Sequence, residues 1–418
     1  MLRSAITRSV LVLAFLAAPD ALLTAHCRAA DWTQFRGPGG GGVSDDQDVP
    51  VKWSSTENVR WKAALPGRGL SSPVVADGRV YVTACTGWQQ NRLHVLCFDE
   101  KTGKQLWERQ FWATGLTGSH PKTNMAAPTP VTDGKFVFAL FSTCDVVCLD
   151  RDGDLQWYRS LTGDYPTITN QVGMAASPVL AGDTLVMPIE NAGESFALGL
   201  DKATGKNRWK IERDRQINWT TPLVMTNNGK IEVVLQSPKE LTAVDPATGA
   251  KRWSYEAKGI ASIPSAVAGQ GALFLPAGEF TALKPRSDGA SPEVLWNSIR
   301  LKPATASPIL YKDRVYSLNG GGILVCADAA NGNVLWQERV KGPFSASPVI
   351  ANGKLYAVAE EGVTTVVQLG DKPLTLATNE VKPAADKDLL LATPAIAGGA
   401  IFLRSDGWLW CIGAKKEQ

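Results

Sequence analysis

Residues 222–253 read PLVMTNNGKIEVVLQSPKELTAVDPATGAKRW. The stretch opens with a proline, places Asn228-Gly229 between two apolar runs, and carries a Thr-Gly turn shortly before a tryptophan. Asn and Gly tolerate the positive φ of a two-residue hairpin turn, and proline suits the start of a strand where no donor is needed. The stretch therefore predicts four short antiparallel strands.

The same pattern occurs eight times along the chain. Its opening prolines are spaced by 57, 48, 44, 42, 44, 40 and 46 residues, which is about the length of one four-stranded propeller blade. These prolines are Pro73, Pro130, Pro178, Pro222, Pro264, Pro308, Pro348 and Pro394. We therefore predict an all-β fold, an eight-bladed β-propeller of four-stranded antiparallel blades at residues 53–418, preceded by an N-terminal arm at residues 31–52.

The last repeat lacks an outer strand of its own, because little sequence follows residues 408–412. Residues 58–62 (NVRWK) have the outer-strand pattern and stand before the first blade. We predict that this N-terminal strand pairs beside residues 408–412 and closes the last blade. Closing the ring removes the exposed strand edges that promote aggregation.

Tryptophan recurs at one repeat position, on the predicted outer strand. The members of this set are Trp61, Trp107, Trp157, Trp209, Trp253, Trp296 and Trp336. Large rings at equivalent positions of successive blades favour a structural role as wedges between neighbouring blades over a cofactor cage. The seventh repeat departs from the pattern, with residues 374–377 where the tryptophan should stand.

The N-terminus has the character of a targeting segment. Arg3 and Arg8 precede the apolar run of residues 10–18, which is far shorter than the roughly 20 residues of a transmembrane helix. We predict a cleaved signal peptide at residues 1–30, no transmembrane span, and a periplasmic or secreted location. A lipid anchor on Cys27 stays open, although His26 replaces the small residue expected before a lipidated cysteine.

Composition narrows the class of partner. The formal net charge is +3, and no basic run stands out beyond Lys415-Lys416. The electrostatic footprint of a nucleic-acid-binding protein is therefore missing. We expect a monomer whose partner is a protein or a polysaccharide.

Two sequence segments carry a family resemblance. The steps Asp201–Trp209 (DKATGKNRW) and Asp245–Trp253 (DPATGAKRW) resemble the repeat of PQQ-type, quinoprotein-like eight-bladed propellers. Residues 31–38 (DWTQFRGP), followed by glycines, resemble the start of an exported bacterial subfamily of these propellers. The resemblance covers residues 31–413 and implies the fold, because the family includes both quinoprotein dehydrogenases and the propeller lipoprotein of the outer-membrane β-barrel assembly machine.

Within that resemblance, the chain departs from the dehydrogenases. They carry an adjacent cysteine pair over the cofactor and a metal held by carboxylate and amide ligands, whereas none of the seven cysteines here is adjacent to another. Calcium needs several oxygen ligands, and no Asp/Asn-rich loop of suitable spacing is present. We therefore expect no cofactor and no metal, and PQQ with calcium is disfavoured.

Most of the cysteines have a structural explanation. Four of them share one repeat position and lie in different blades, so they are predicted to be small buried residues: Cys97, Cys148, Cys326 and Cys411. Cys85 with Cys97, and Cys144 with Cys148, could face each other across a hairpin, and export makes oxidation feasible. Whether either pair forms a disulfide stays open.

No catalytic residue is predicted. Beyond the signal segment only His94 and His120 remain, His94 on a predicted strand, and no nucleophile-elbow motif occurs. The working surface is instead sought in the two long links before blades 2 and 3, residues 112–127 and 162–176, since long loops on rigid strands concentrate recognition.

These links and the segment before blade 4 bring a set of polar residues to one mouth of the propeller. The candidate binding residues are His120, Lys122, Asn124, Asn170, Gln171, Asn218 and Trp219. The leading hypothesis is an exported, non-catalytic binding or assembly scaffold. The alternatives are a PQQ-dependent dehydrogenase or other enzyme acting at the mouth, and a partner that resembles an outer-membrane assembly factor.

Overall fold

The computed structural model describes residues 31–169, 172–382 and 388–414. The predicted signal peptide with Cys27, and the candidate residues Asn170 and Gln171, lie outside the described residues. Within them the chain forms eight antiparallel four-stranded blades in a ring, and their innermost strands follow one another in sequence order around it. The predicted eight-bladed all-β propeller is confirmed.

Two strands precede the first complete blade, and the first four blades follow in chain order. The strands are β1 (Val43–Ser44) and β2 (Val59–Ala64); in blade 1, β3 (Val74–Ala76), β4 (Arg79–Thr86), β5 (Arg92–Asp99) and β6 (Gln105–Trp112); in blade 2, β7 (Val131–Thr132), β8 (Phe136–Leu140), β9 (Asp145–Asp150) and β10 (Leu155–Ser160); in blade 3, β11 (Val179–Ala181), β12 (Thr184–Ile189), β13 (Phe196–Asp201) and β14 (Asn207–Glu212); in blade 4, β15 (Leu223–Asn227), β16 (Lys230–Gln236), β17 (Glu240–Val244) and β18 (Lys251–Glu256).

The remaining blades continue the same order from the channel outwards. The strands are, in blade 5, β19 (Val267–Gly269), β20 (Ala272–Leu275), β21 (Phe280–Lys284) and β22 (Glu293–Ser298); in blade 6, β23 (Ile309–Tyr311), β24 (Arg314–Leu318), β25 (Ile323–Asp328) and β26 (Val334–Arg339); in blade 7, β27 (Val349–Ala351), β28 (Lys354–Val358), β29 (Val363–Gln368) and β30 (Leu374–Glu380); in blade 8, β31 (Ala395–Ala397), β32 (Ala400–Arg404) and β33 (Trp408–Ile412).

Helices contribute little to the fold. The described residues hold one α-helical turn, α1 (Leu161–Asp164), and 3-10 turns at Pro38–Gly40, Trp88–Gln90 and Ile299–Leu301. No helix in this part of the chain has the length and apolar character needed to cross a bilayer.

The opening proline marks the inner strand in seven blades, where the strand begins at the next residue, as at Pro222 and Leu223. Blade 5 is the exception and corrects the repeat register. Its inner strand begins at Val267, so Ala266 holds the equivalent position and Pro264 stands two residues too early. Proline is dispensable here because a strand start tolerates proline without requiring it.

The ring closes as predicted. Strand β2 pairs antiparallel with β33, with Trp61 opposite Cys411. Arg60 strengthens this blade by donating to the carbonyls of Gly398 and Gly399, both at 3.0 Å. Across the seam to blade 1, the buried Arg404 donates to the Ser71 carbonyl at 3.0 Å.

The outer-strand tryptophans are wedges between blades. Trp209 is representative, since its Nε1 donates to the Pro246 carbonyl of the next blade at 2.8 Å and its ring lies where a Cβ on Gly249 would come within 2.7 Å. Trp61, Trp107, Trp157, Trp296 and Trp336 repeat this bond to a carbonyl of the following blade. Trp253 differs, because its Nε1 donates to the Glu232 carboxylate of its own blade at 2.8 Å.

Blade 7 lacks the wedge tryptophan, and a tryptophan from outside the repeat packs against this blade instead. Ala377 occupies the tryptophan position, opposite Val366. Trp53, directly after the arm, packs instead on Tyr356 of this blade with ring centroids 6.4 Å apart. In blade 6 the equivalent tyrosine, Tyr316, packs on that blade's own tryptophan. The chain before the propeller thus fills a gap that the seventh repeat leaves.

The cysteines of the described residues are free thiols and buried, so neither hairpin pair forms a disulfide here. Cys97 stands opposite Tyr81 on the neighbouring strand and Cys85 opposite Leu93, so the two do not face each other across the hairpin. Burial raises the pKa of Cys85 to about 11 and of Cys97 to about 12. The four cysteines of the shared repeat position are buried, as predicted, and each stands opposite the tryptophan of the outer strand.

The N-terminal arm crosses one end of the central channel. Trp32 bridges to Val75 of blade 1, and the Thr33 carbonyl accepts from blade 2. Strand β1 then pairs in parallel with β27 of blade 7. Between them the buried Arg36 donates to the Pro308 carbonyl of blade 6, and burial lowers its pKa to about 9. The arm therefore covers this end of the channel.

Candidate functional site

A cavity of about 380 Å³ occupies the channel above the arm. We call it the cup. Each blade contributes two lining residues, two positions apart, which point the same way because side chains alternate along extended backbone. The lower tier, which we call the hydroxyl belt, is Ser72, Thr129, Ser177, Thr221, Ser265, Ser307, Ser347 and Thr393; the upper tier is Leu70, Ala127, Ala175, Trp219, Ile263, Thr305, Ser345 and Leu391. Phe35 of the arm also lines the cup.

The hydroxyl belt is held by bonds between neighbouring blades. In each of seven links, the backbone N–H of one belt residue donates to the side-chain oxygen of the next, as from Ser265 to Ser307 at 3.0 Å. The other six links have lengths of 2.9 to 3.1 Å. These buried amides precede the ladder of the inner strand, so the belt supplies the acceptors that the strands do not.

The belt is open at one place, between blades 8 and 1. The Ser72 hydroxyl is buried and has no hydrogen-bond partner among the described residues. No belt hydroxyl donates to a described residue, since the other seven act only as acceptors in their links. The cup therefore has a tier of hydroxyl donors at its base.

The upper tier differs from blade to blade. Leu70, Ile263, Leu391 and Trp219 form apolar parts of the wall, and small alanines follow in blades 2 and 3. Blades 6 and 7 supply hydroxyls that are already bonded: Thr305 Oγ1 donates to the Phe344 carbonyl at 2.8 Å.

A loop from the link before blade 2 lies over the cup, and we call residues 120–123 the lid. Lys122 spans the mouth and contacts both carboxylate oxygens of Glu360 in blade 7, at 2.8 and 2.9 Å. Glu360 is buried and also accepts from the Ser345 hydroxyl at 2.7 Å. At its base the lid is fixed by the His120 amide, which donates to the Val172 carbonyl at 3.0 Å. The ion pair thus fastens the lid to blade 7, two blades away from blade 1.

A buried polar network supports the Trp219 side of the cup. Glu190 and Arg213, both inaccessible to solvent, form an ion pair at 2.9 Å. Burial raises the pKa of Glu190, against the opposing effect of Arg213. Asn218 donates to Glu190 at 3.0 Å, and Trp219 Nε1 donates to the Gly173 carbonyl at 2.8 Å. The indole is therefore held between blade 4 and the incoming link of blade 3.

The structure sorts the predicted binding residues into three groups. His120, Lys122 and Trp219 line the cup together. Asn124 and Asn218 are buried instead of standing on the rim. Asn218 donates to Glu190, and Asn124 Oδ1 accepts from the Ala126 amide at 2.9 Å, whereas Asn124 Nδ2 has no partner among the described residues. Asn170 and Gln171 lie outside the described residues.

Sequence reasoning missed the hydroxyl belt. The signal was present, since a Ser or Thr stands directly before the opening proline in seven repeats. In blade 5 the displaced Pro264 hid the equivalence of Ser265 to the other belt positions.

The remaining histidine lies away from the cup. His94 on β5 is buried, with Nδ1 2.6 Å from Glu108 Oε1 and Nε2 2.7 Å from Thr86 Oγ1. These bonds join the three long strands of blade 1. In the described ranges, no three His, Cys, Asp or Glu residues are grouped closely enough to hold a metal ion.

Comparison with known families agrees with this architecture. The model of the family described as outer membrane protein assembly factor BamB matches residues 42–197, 192–290 and 277–378. These segments cover most of the chain, which therefore belongs to this family.

Individual relatives are distant. BamB from Moraxella catarrhalis superposes with a TM-score of 0.59 at 14% identity, covering 86% of this chain and 99% of that one. A europium-containing methanol dehydrogenase gives a TM-score of 0.66 at 10% identity, covering 92% and 98%. A polyvinylalcohol dehydrogenase from Sphingopyxis sp. is 24% identical over 241 residues, 47% of this chain and 35% of the relative. The chain spans about a third or less of the length of the curated relatives it matches.

Proposed function

We propose that this chain, a member of the family of outer membrane protein assembly factor BamB, is an exported, non-catalytic binding scaffold. Its working surface is the mouth that holds the cup and the lid, and a protein segment or a polysaccharide binds there. The observation that carries the proposal is the cup itself, a blind recess closed below by the arm and lined by hydroxyl and apolar side chains. Recognition sites combine apolar walls with a few placed polar groups in this way.

The rigidity of the mouth supports the same function. Lys122 and Glu360 join loops of blades that are not neighbours in the ring, and the Trp219 indole is fixed by a hydrogen bond. A preorganised surface loses little conformational entropy on binding, and affinity rises accordingly. The BamB structure, with its role in outer-membrane protein assembly, adds support by analogy of fold alone.

A PQQ-dependent dehydrogenase is the alternative raised by the dehydrogenases of similar fold. Calcium-bound PQQ would need several carboxylate or amide oxygens around the ion. The described residues that line the cup include no Asp, Glu, Asn or Gln, so they do not fit a calcium-bound quinone. We therefore propose a scaffold that works without this cofactor.

The proposal is tested by locating the contact surface. The full chain is purified from its native envelope. Its backbone hydrogen exchange is then measured in two samples, one of the chain alone and one of the chain with the partner or glycan fraction that it retains. We expect protection in residues 113–127 and 162–177 of the mouth. Ala175→Leu, which fills the cup, should weaken retention at least tenfold, whereas Ala330→Leu on an exposed turn of blade 6 should not.

Two outcomes would contradict the proposal. Protection restricted to the outer strands would place the function on the side of the propeller. Saturable binding of PQQ with calcium, together with dye-linked alcohol oxidation, would favour the dehydrogenase.

A further inference from the structure

We propose that the cup binds a carboxylate carried on a partly apolar body, with the carboxylate seated on the hydroxyl belt. The inference rests on the proposed function, since it names the ligand class of the same site. Three features of the cup support it: the hydroxyl protons of the belt, the charged residues around the cup and the shape of its wall.

The belt presents one hydroxyl proton in each of the eight blades. Seven of its hydroxyl oxygens already accept a backbone N–H, and their own protons have no acceptor among the described residues. Ser72 Oγ, at the open link, has no partner at all there. A buried donor without an acceptor costs free energy, so a ring of unused hydroxyl protons suits a group that accepts several hydrogen bonds at once, such as a carboxylate.

The charges near the cup favour the same group. The charges of Lys122 and Glu360 neutralise each other at the mouth. Arg36, below the belt, is buried and bonded only to backbone carbonyls in the described residues, Pro308 and Gly41. A buried cation without an anionic partner is costly, and an anion placed nearby would lower that cost.

The wall of the cup determines the size and polarity of the rest of the ligand. Trp219, Ile263 and Leu70 present apolar surface above the belt, and Ala127 and Ala175 leave room beside the lid. A cavity of about 380 Å³ is at the lower end of small-molecule sites. Because the arm covers the far end, the ligand enters from the mouth, so a polymer would insert its end and not an interior segment.

Two sources offer this chemistry: a free organic acid, and the uronic-acid end of a polysaccharide. Calorimetry with the full chain compares benzoate and hexanoate, glucuronate and galacturonate oligomers, the matching neutral oligosaccharides, and sodium chloride. We expect a carboxylate from one of the first two sets to bind at least tenfold more tightly than the neutral oligosaccharides and than chloride.

Variants then place the ligand. Ser72→Ala removes only the unpartnered hydroxyl and should weaken carboxylate binding about tenfold, with an unchanged melting temperature. Ala175→Leu should abolish binding, and Ala330→Leu serves as its matched control. If Ala175→Leu lowers the melting temperature, Ala127→Leu fills the neighbouring space instead.

The outcomes separate this inference from the proposed function. Equal binding of neutral oligosaccharides, sensitive to Ala175→Leu, would overturn the carboxylate and leave the scaffold standing. If no small ligand binds but a partner protects the mouth from hydrogen exchange, the carboxylate inference is also overturned and the scaffold proposal still stands. Carboxylate binding unaffected by Ser72→Ala and Ala175→Leu would place the ligand outside the cup and overturn the inference.

Discussion

The two tiers of the cup come from positions two residues apart in the same eight segments, yet they differ sharply. The belt carries a hydroxyl in every blade, whereas the upper tier ranges from alanine to tryptophan. In seven blades the belt hydroxyl accepts from a backbone amide of the preceding blade, which gives it a structural role; Ser72 is the exception. The side chains at the upper position share no such repeated bond, as Trp219 and Thr305 illustrate with their different partners. The repeat therefore keeps the position that joins the blades and varies the position that shapes the wall of the cup.

The same contrast appears at the outer strands. Six blades are joined by a tryptophan that bonds to the following blade, and blade 7 departs from this pattern with Ala377. Trp53 compensates from outside the repeat. If the repeated positions are structural and the others are not, substitutions at the two kinds should differ in size and in what they affect.

The largest effect is expected for a repeated wedge. Trp209→Ala should lower the free energy of unfolding by about 3 to 5 kcal/mol, because it empties a large buried site and removes the bond to Pro246. Urea denaturation measures the change. Trp88→Ala is the control, since this ring is 80% exposed. A loss below about 1 kcal/mol for Trp209→Ala would mean that the wedge is not required.

Trp53 tests whether a residue outside the repeat replaces a wedge. Trp53→Ala should cost about 3 kcal/mol, near the lower end of the range for a buried tryptophan, since its indole N–H has no described partner. The same denaturation series checks this. If Trp53→Ala lowers the free energy of unfolding no more than the exposed Trp88→Ala does, blade 7 does not need the Trp53 ring for its stability.

The belt gives a smaller, paired comparison. Ser307→Ala leaves the Ser265 amide without its acceptor and should cost about 1 to 3 kcal/mol. Ser72→Ala removes a hydroxyl that accepts no such bond and should change the free energy of unfolding by less than about 0.5 kcal/mol. Equal costs at both positions would contradict the open link between blades 8 and 1.

The smallest effect is expected from thiol reagents. Burial raises the pKa of Cys326 to about 11 and of Cys411 to about 12, so little thiolate exists at pH 8 and reagents cannot reach it. Native protein should therefore react negligibly with a thiol reagent, and all six described cysteines should react after unfolding without reductant. Fewer reactive thiols after unfolding would indicate a disulfide.

Particular residues show how far sequence reasoning reaches into the site. Lys122 and Trp219 were expected at the mouth, and both line the cup. Asn124 was expected there too, but whether a polar loop residue points out or bonds inward depends on neighbours that the local sequence does not specify. The Lys122–Glu360 pair joins residues 238 positions apart, and no local pattern indicates it.

The sequence by itself determined the ring. Eight repeats, hairpin turns, wedge tryptophans and the early outer strand are local patterns whose spacing allows one closed arrangement. Only the tertiary structure decided the cup, because its elements meet across the ring: the arm crosses one end, the lid is fastened to blade 7, and Trp53 fills blade 7. Such contacts depend on where closure places distant segments, and that position is a property of the whole ring.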